Sequence, residues 1–555
     1  MNKFFYTLLM ASLIQVTGFA QVEQIVNEQI RANFAPNGAT TSTSPGNSFI
    51  EVQEGEQWLS LLRESGLLIA GVAPDGETKF YNTRGADIEV GFEGVEAEVQ
   101  APWRITREQV LAHRADFEDN GVVDNPIPEI FAWPGRGNRF SEEYNGHPLS
   151  NSFANLAPFW DQDANGIYDP DEGDYPILGV RGCLGNPSVP SEMMFYPILI
   201  RDGAEVFSKV FLTAFRYDCF AEGTAVNNTL FLHYQVVNSS ELTFEDTYIG
   251  YFADGNSGCF ADDYLGVFPD QQAVYFYNSD ETDGGGLCPL VESSIFTGVP
   301  AAVGLDLLRS PLDPAASFDE IPLTYVMPVL SGGGIPPATA EPVTVAEYYN
   351  YLSGRWLDGQ QLLDEGNGYE SGEPTALAFT GDPATNTGWT EIGEGNAIGD
   401  RKAVFSTGPF TLQRGAINEF TLGVTFSLDP DLGYLEQIGN LRNRLDAVQQ
   451  FFDNCFEQGE AGTCAPLITS SEDLSVPAKN QLLLYPNPTR DQVSISLPEA
   501  QEGTLRAFSA NGQVLLQKRT FSELITLDVQ TWPRGLYLLR WQGEKEVLVN
   551  KLLVD

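Results

Sequence analysis

Apolar positions along this chain come in short bursts broken by Gly, Pro, Asn and Asp, the pattern of many strands joined by turns. The densest stretch runs from Tyr196 to about Phe252. Within it, "TLFLHYQVVN" (229–238) and "EDTYIGYFAD" (245–254) are rich in β-branched and aromatic residues, which suit a pleated, half-buried surface. "GLLIAGV" (66–72) is a further apolar run in a β-rich stretch. "KAVFSTGPFTLQRGAINEFTLGVTFSL" (402–428) predicts two or three more strands, with a tight turn at Arg414-Gly415. Helical spacing is rare. Leu435, Ile438, Leu441, Leu445, Val448 and Phe452 step by three and four through 435–455, and Ile105 to Phe117 predicts a second helix with Thr106 near its N-cap. The fold class that follows is mainly β: a large β-sandwich-type core with long loops and few helices.

The texture divides the chain. Lys3, the apolar run Phe4 to Val16 and the small-x-small end Gly18-Phe19-Ala20 read as a signal peptide over 1–20. A β-rich N-terminal region covers 21–140, and the sandwich core covers 141–465. The polar, Pro-bearing stretch 466–480 reads as a linker. Residues 481–555 form a compact unit of alternating strands with a hairpin turn at Asn511-Gly512. No segment carries the ~18 consecutive apolar residues that a membrane span needs.

Tyr485-Pro486-Asn487-Pro488, then Asn511-Gly512-Gln513, Leu527-Asp528, Trp532-Pro533-Arg534-Gly535-Leu536-Tyr537 and Lys551-Leu552 occur in that order. Together they resemble the type A C-terminal sorting domain of the type IX secretion system of Bacteroidota. The final Asp555 departs from the basic residue common there. The resemblance implies a small Ig-like β-sandwich at 481–555. It also implies engagement of the type IX machinery through those residues, and delivery to the outer-membrane surface or the medium. Upstream, "IPEIFAWPGRGN", "LAPFWDQDANGIYDPDEGDYP", "EDTYIGYFADG", "DDYLGVF" and "AEYYNYLSGRW" resemble large secreted surface proteins of Bacteroidota. That likeness implies an architecture and no activity.

Charge narrows the partners. With 76 acids against 30 bases the formal net charge is −46, a field that repels phosphate backbones and favours divalent cations. Nucleic acid is therefore not an expected partner; an extracellular glycan or a surface protein is. Six cysteines in an exported chain predict disulfides. Cys455 and Cys464 are near enough in sequence to close a small loop, while Cys183, Cys219, Cys259 and Cys288 allow three pairings.

The candidate chemistry sits in "DQDANGIYDPDEGDYP" (161–176). Numbered from Asp161, oxygen-bearing side chains fall at one, three, five and nine (Asp161, Asp163, Asn165, Asp169). Gly166 is at six, Ile167 offers its carbonyl at seven, and Glu172 is at twelve, which matches the calcium-loop pattern D-x-[DN]-x-[DN]-G-x5-E. A hard cation takes six to eight oxygens at ~2.3–2.6 Å, and alternate residues of a tight loop can supply them. Pro170, Gly173 and Pro176 oppose an exiting helix, so the expectation is an isolated calcium loop with a structural ion. Asp254, Asn256, Asp262 and Asp263 form a second, looser candidate calcium cluster.

Signals for catalysis are thin. His113, His147 and His233 are scattered, which argues against a histidine zinc site or a Ser-His-Asp triad. Tyr348, Tyr349, Tyr351 and Trp356 suit either a sugar groove or core packing, with packing preferred. The expectation is a noncatalytic, calcium-stabilised surface or secreted protein with a structural or adhesive role. The alternative is a carbohydrate-binding or glycoside-hydrolase-type protein.

Overall fold

The computed structural model describes residues 22–40, 48–84, 88–92, 102–149, 156–183, 189–202, 205–219, 224–284, 288, 295–315, 319–331 and 335–457, together with strands and short adjoining stretches within 482–554. The signal peptide 1–20, the linker 466–480, Cys464 and the Asn511-Gly512 turn lie outside these residues.

Two antiparallel sheets face each other. The first runs, in spatial order, through Glu23–Val26, Ile30–Phe34, Ile50–Glu54, Gln57–Val72, Phe244–Gly255, Arg401–Leu412 and Tyr325–Leu330, with Thr78–Asn82 also paired to Gln57–Val72. The second runs through Asp263–Phe268, Ala273–Asn278, Ala302–Arg309, Ile417–Ser427, Thr229–Asn238, Glu205–Arg216, Glu192–Asp202 and Glu89–Val90, with Trp103–Thr106 also paired to Glu192–Asp202. One apolar core joins the inner faces, with Leu68, Ile249 and Phe405 from the first sheet meeting Leu232, Tyr234 and Val424 from the second. The mainly β, sandwich-type expectation holds.

The strand 229–238 is apolar on both faces because both are covered. Leu230, Leu232, Tyr234 and Val236 point into the sandwich, whereas Phe231 joins an outer cluster with Phe195, Phe211 and Phe215. That outer cluster lies under residues 103–149 and 156–183 and the end of the helix Tyr434–Asp453. The same helix lays Ile438, Leu441 and Leu445 on Tyr264, Tyr275 and Tyr277. The predicted 435–455 helix is thus present within a residue or two, and the 105–117 helix appears as Arg107–Asn120. Thr106 caps the latter and Gln109 reciprocates, satisfying two otherwise orphaned N–H groups.

Two sequence expectations meet long-range pairing. The division at residue 140 does not fall between sheets, because Gln57–Val72 hydrogen-bonds along Phe244–Gly255, with Ile69 opposite Ile249. Cys455 pairs with Cys183, not with Cys464. The helix carries it to the 181–183 turn, where Phe456 packs among Phe215, Tyr217 and Phe231. Cys259 pairs with Cys288, and Cys219 is also disulfide-bonded.

The C-terminal unit has a three-stranded and a four-stranded sheet. Its buried cluster, including Val493, Ile495, Leu505, Leu539, Trp541 and Leu552, draws only on residues 482–554. No helix among the described residues is long and apolar enough to cross a membrane.

Candidate functional site

The acidic loop is the tip of a short ribbon. Phe159–Trp160 pairs with Tyr175–Pro176, so Trp160 stands opposite Tyr175 and the chain between them must bend back. Gly166 supplies the bend at φ +77°, a region open to glycine at no steric cost. Asp161 accepts the N–H groups of Asn165 (3.1 Å) and Gly166 (2.8 Å), and Asp163 accepts that of Asn165 at 3.1 Å. Asp174 accepts the N–H groups of Gln162 and Asp169, each at 2.8 Å. One carboxylate oxygen from each of Asp161, Asp163 and Asp174 lies within 4.8 Å of the others. That separation fits oxygens around a shell of about 2.4 Å radius, so the donor set suits a hard divalent cation.

Like charges in a partly dry place leave a mark. Burial, followed by the charges of Asp161 and Asp163, pushes Asp174 up to about 7 in spite of its two N–H donors. Burial also raises Asp161. The loop is anchored from behind: His113 Nε2 meets the Asp174 carbonyl at 2.9 Å, and Gly173 lies flat on Phe117.

Of the six expected ligands, Asp161 and Asp163 converge. The amide of Asn165 bridges Asp163 (2.9 Å) and Asp169 (3.0 Å), and its oxygen accepts the N–H of Ile167 at 2.6 Å. Asp169 also accepts from Arg139 at 3.1 Å. That arginine is 53% exposed, so the pair contributes only about 0–1 kcal/mol and does not lock Asp169. Glu172 stays exposed on the short turn Pro170–Glu172. The chain re-enters the ribbon two residues later, which puts Asp174 at position fourteen where Glu172 was expected at twelve. The twelve-residue pattern assumes a helical exit, and a strand exit moves the last acid.

This loop roofs a cavity of about 310 Å³ over the outer face of the second sheet. Gly166 and Arg136 line its rim, while Thr213, His233, Gln235 and Glu419 line its sheet side. The register explains the gathering, since His233 lies opposite both Thr213 and Thr421, and Gln235 lies opposite Glu419. Glu419 accepts the N–H of Arg181 at 2.9 Å. His233 Nδ1 meets Thr421 Oγ1 at 2.8 Å, and its Nε2 has no hydrogen-bond partner among the described residues. Burial lowers its pKa, so the ring enters as a neutral polar group.

The second acidic cluster is not gathered as expected. Asp254 is held by Arg63 at 2.7 Å and Lys402 at 3.5 Å. Asn256 donates to Ser60 at 2.7 Å. Asp262 lies instead with Asp283, a residue distant in sequence, while Asp263 is wholly buried beside them. Tyr351 and Trp356 are core residues, and Tyr348 and Tyr349 pack on Phe80 and Tyr248, so this aromatic run belongs to packing. His113 and His147 are buried in separate surroundings.

No curated protein matches the chain. Among solved structures, a polysaccharide lyase of Bacteroides aligns with 95% of this chain and 46% of its own, at 9% identity. The chain thus spans less than half that enzyme's length, and a TM-score of 0.27 does not amount to a shared fold. Residues 483–555 match the secretion system C-terminal sorting domain. This chain therefore carries a type IX sorting domain at its C-terminal end and is delivered by that system to the cell surface or the extracellular space.

Proposed function

We propose that this protein is a noncatalytic component of the cell surface or its surroundings, structural or adhesive in role. A calcium ion held by Asp161, Asp163 and Asp174 braces its sandwich. The leader over 1–20 takes it to the periplasm, and residues 481–555 then engage the type IX machinery. The observation that carries the calcium reading is the convergence of those three carboxylates on a loop that covers the second sheet. Gathering anions costs repulsion that an ion relieves, so ion binding adds to folding stability. Removing calcium with EGTA should lower the melting temperature by several degrees, and Asp161→Ala with Asp163→Ala should shrink that response. An unchanged difference in the double variant would refute the site. Deleting 481–555 should strand the protein in the periplasm, read by fractionation.

The cavity supports a second reading, a carbohydrate ligand bound beneath the loop. Its walls combine apolar surface (Phe159, Phe195, Phe211) with Arg136, His233 and Gln235, the mixture that sugar hydroxyls and a sugar carboxylate require. A glycan array probed with wild type and Gln235→Ala decides it: binding lost in the variant supports the reading, and no binding by wild type removes it.

A further inference from the structure

The connection from strand Phe244–Gly255 to strand Asp263–Phe268 carries the chain from one sheet to the other. Asp262 and Asp263 end that connection, and Asp283 reaches it from the loop after Ala273–Asn278. Each acid is positioned by backbone. Asp262 accepts the N–H of Gly284 at 2.7 Å, and Asp263 accepts that of Ser257 at 3.1 Å. Asp283 accepts from Cys259 at 2.9 Å and from Phe296 at 2.5 Å. Gly258, at φ +79°, makes room for this, since a Cβ there would fall 1.9 Å from an Asp283 oxygen.

Two features point beyond a solvated acidic turn. Asp262 is 3% exposed and Asp263 0%, and each keeps its Oδ1 without a hydrogen-bond partner among the described residues. Such open, dry carboxylate oxygens are costly unless something positive meets them. Arg401 bonds Glu391 at 2.9 Å and keeps Nη1 unpartnered among the described residues, so its charge serves Asp263, whereas Asp262 and Asp283 are raised by neighbouring acids. The sulfur of Cys259 lies in the same group but is bonded to Cys288, which leaves an all-oxygen donor set. Burial, followed by the charge of a neighbouring acid (Asp280 for Asp262, Asp262 for Asp263 and Asp283), pushes Asp283 up to about 7 and raises Asp262 and Asp263.

We propose that Asp262 and Asp283, whose oxygens lie within 4.8 Å of each other, hold a divalent cation, calcium by the hardness of its donors, that pins the sheet-to-sheet crossover to the loop closed by Cys259–Cys288. This site is separate from the 161–174 loop and stands without it. Its test is a count of bound calcium by equilibrium dialysis of the EGTA-stripped full chain. Asp262→Asn with Asp283→Asn should bind one ion fewer than wild type, and an equal count overturns the proposal. Should that variant fail to fold, hydrogen exchange on the wild-type chain decides. Calcium should slow amides in 256–263 and 279–284 by about tenfold or more. Slowing confined to 161–174 overturns the proposal while leaving the loop reading intact, and slowing confined to 256–284 does the reverse.

Discussion

Two acidic regions of this molecule, 161–174 and 262–283, contain the same residue type and solve different problems. In the first, Asp161 and Asp163 reach water while Asp174 is buried, and the three accept one or two backbone N–H groups apiece, so the loop tolerates its own charge. In the second, Asp262 and Asp263 are buried with one oxygen each left open. Exposure lets solvent screen repulsion; burial removes that screen and requires a proton or an ion. A third acid sharpens the lesson. Asp306 is buried alone with both oxygens unpartnered, and burial followed by Asp446 and Asp453 raises its pKa well above the usual range. A lone acid takes a proton, whereas a cluster favours a divalent ion.

The comparison can be broken in three ways. Each region is tied by a bridge, Cys183–Cys455 across 272 residues and Cys259–Cys288 across 29. Chain entropy predicts a loss of about 5.5 kcal/mol for Cys183→Ser with Cys455→Ser and about 3.5 kcal/mol for Cys259→Ser with Cys288→Ser. Equal losses in denaturant melts would mean that closure length is not what the bridges act through. Next, Asp283→Asn should destabilise by about 2 kcal/mol in calcium yet stabilise in EGTA at pH 8, because the substitution removes a ligand in one case and a repulsion in the other. Loss of stability in both buffers would make Asp283 an ordinary packing residue. The smallest effect belongs to Asp306→Asn. A carboxyl whose folded pKa exceeds its unfolded ~3.9 contributes its stability below that value and loses it as pH rises towards the folded one. Asp306→Asn should therefore match wild type near pH 4 and exceed it by about 1 kcal/mol or more at pH 8. A constant difference between the two pH values would show that Asp306 does not titrate on unfolding.

Local signals were legible in the sequence and contacts across the fold were not. Strand 229–238 and the helix ending near Asp453 declared themselves because their apolar spacing is set by neighbours in the chain. Asp161 and Asp163 were visible for the same reason, lying two residues apart. Asp174 was missed because its place depends on the ribbon formed by Phe159–Trp160 and Tyr175–Pro176, a tertiary exit that the helical template does not contain. Asp283 lies twenty-odd residues from Asp262 and meets it only after two strands have paired. Asp254 carried the right chemistry but has Arg63 and Lys402 as counterions, and sequence spacing gives no notice of a partner 191 residues away. The pairing of Cys183 with Cys455 was hidden likewise, since sequence proximity favoured Cys464.

Among the described residues, the tail's buried apolar cluster is built from the tail alone. Severing the chain between the two cores would divide neither of these described clusters. An address label that can be torn off after reading, with no damage to the parcel, is what such self-sufficiency permits.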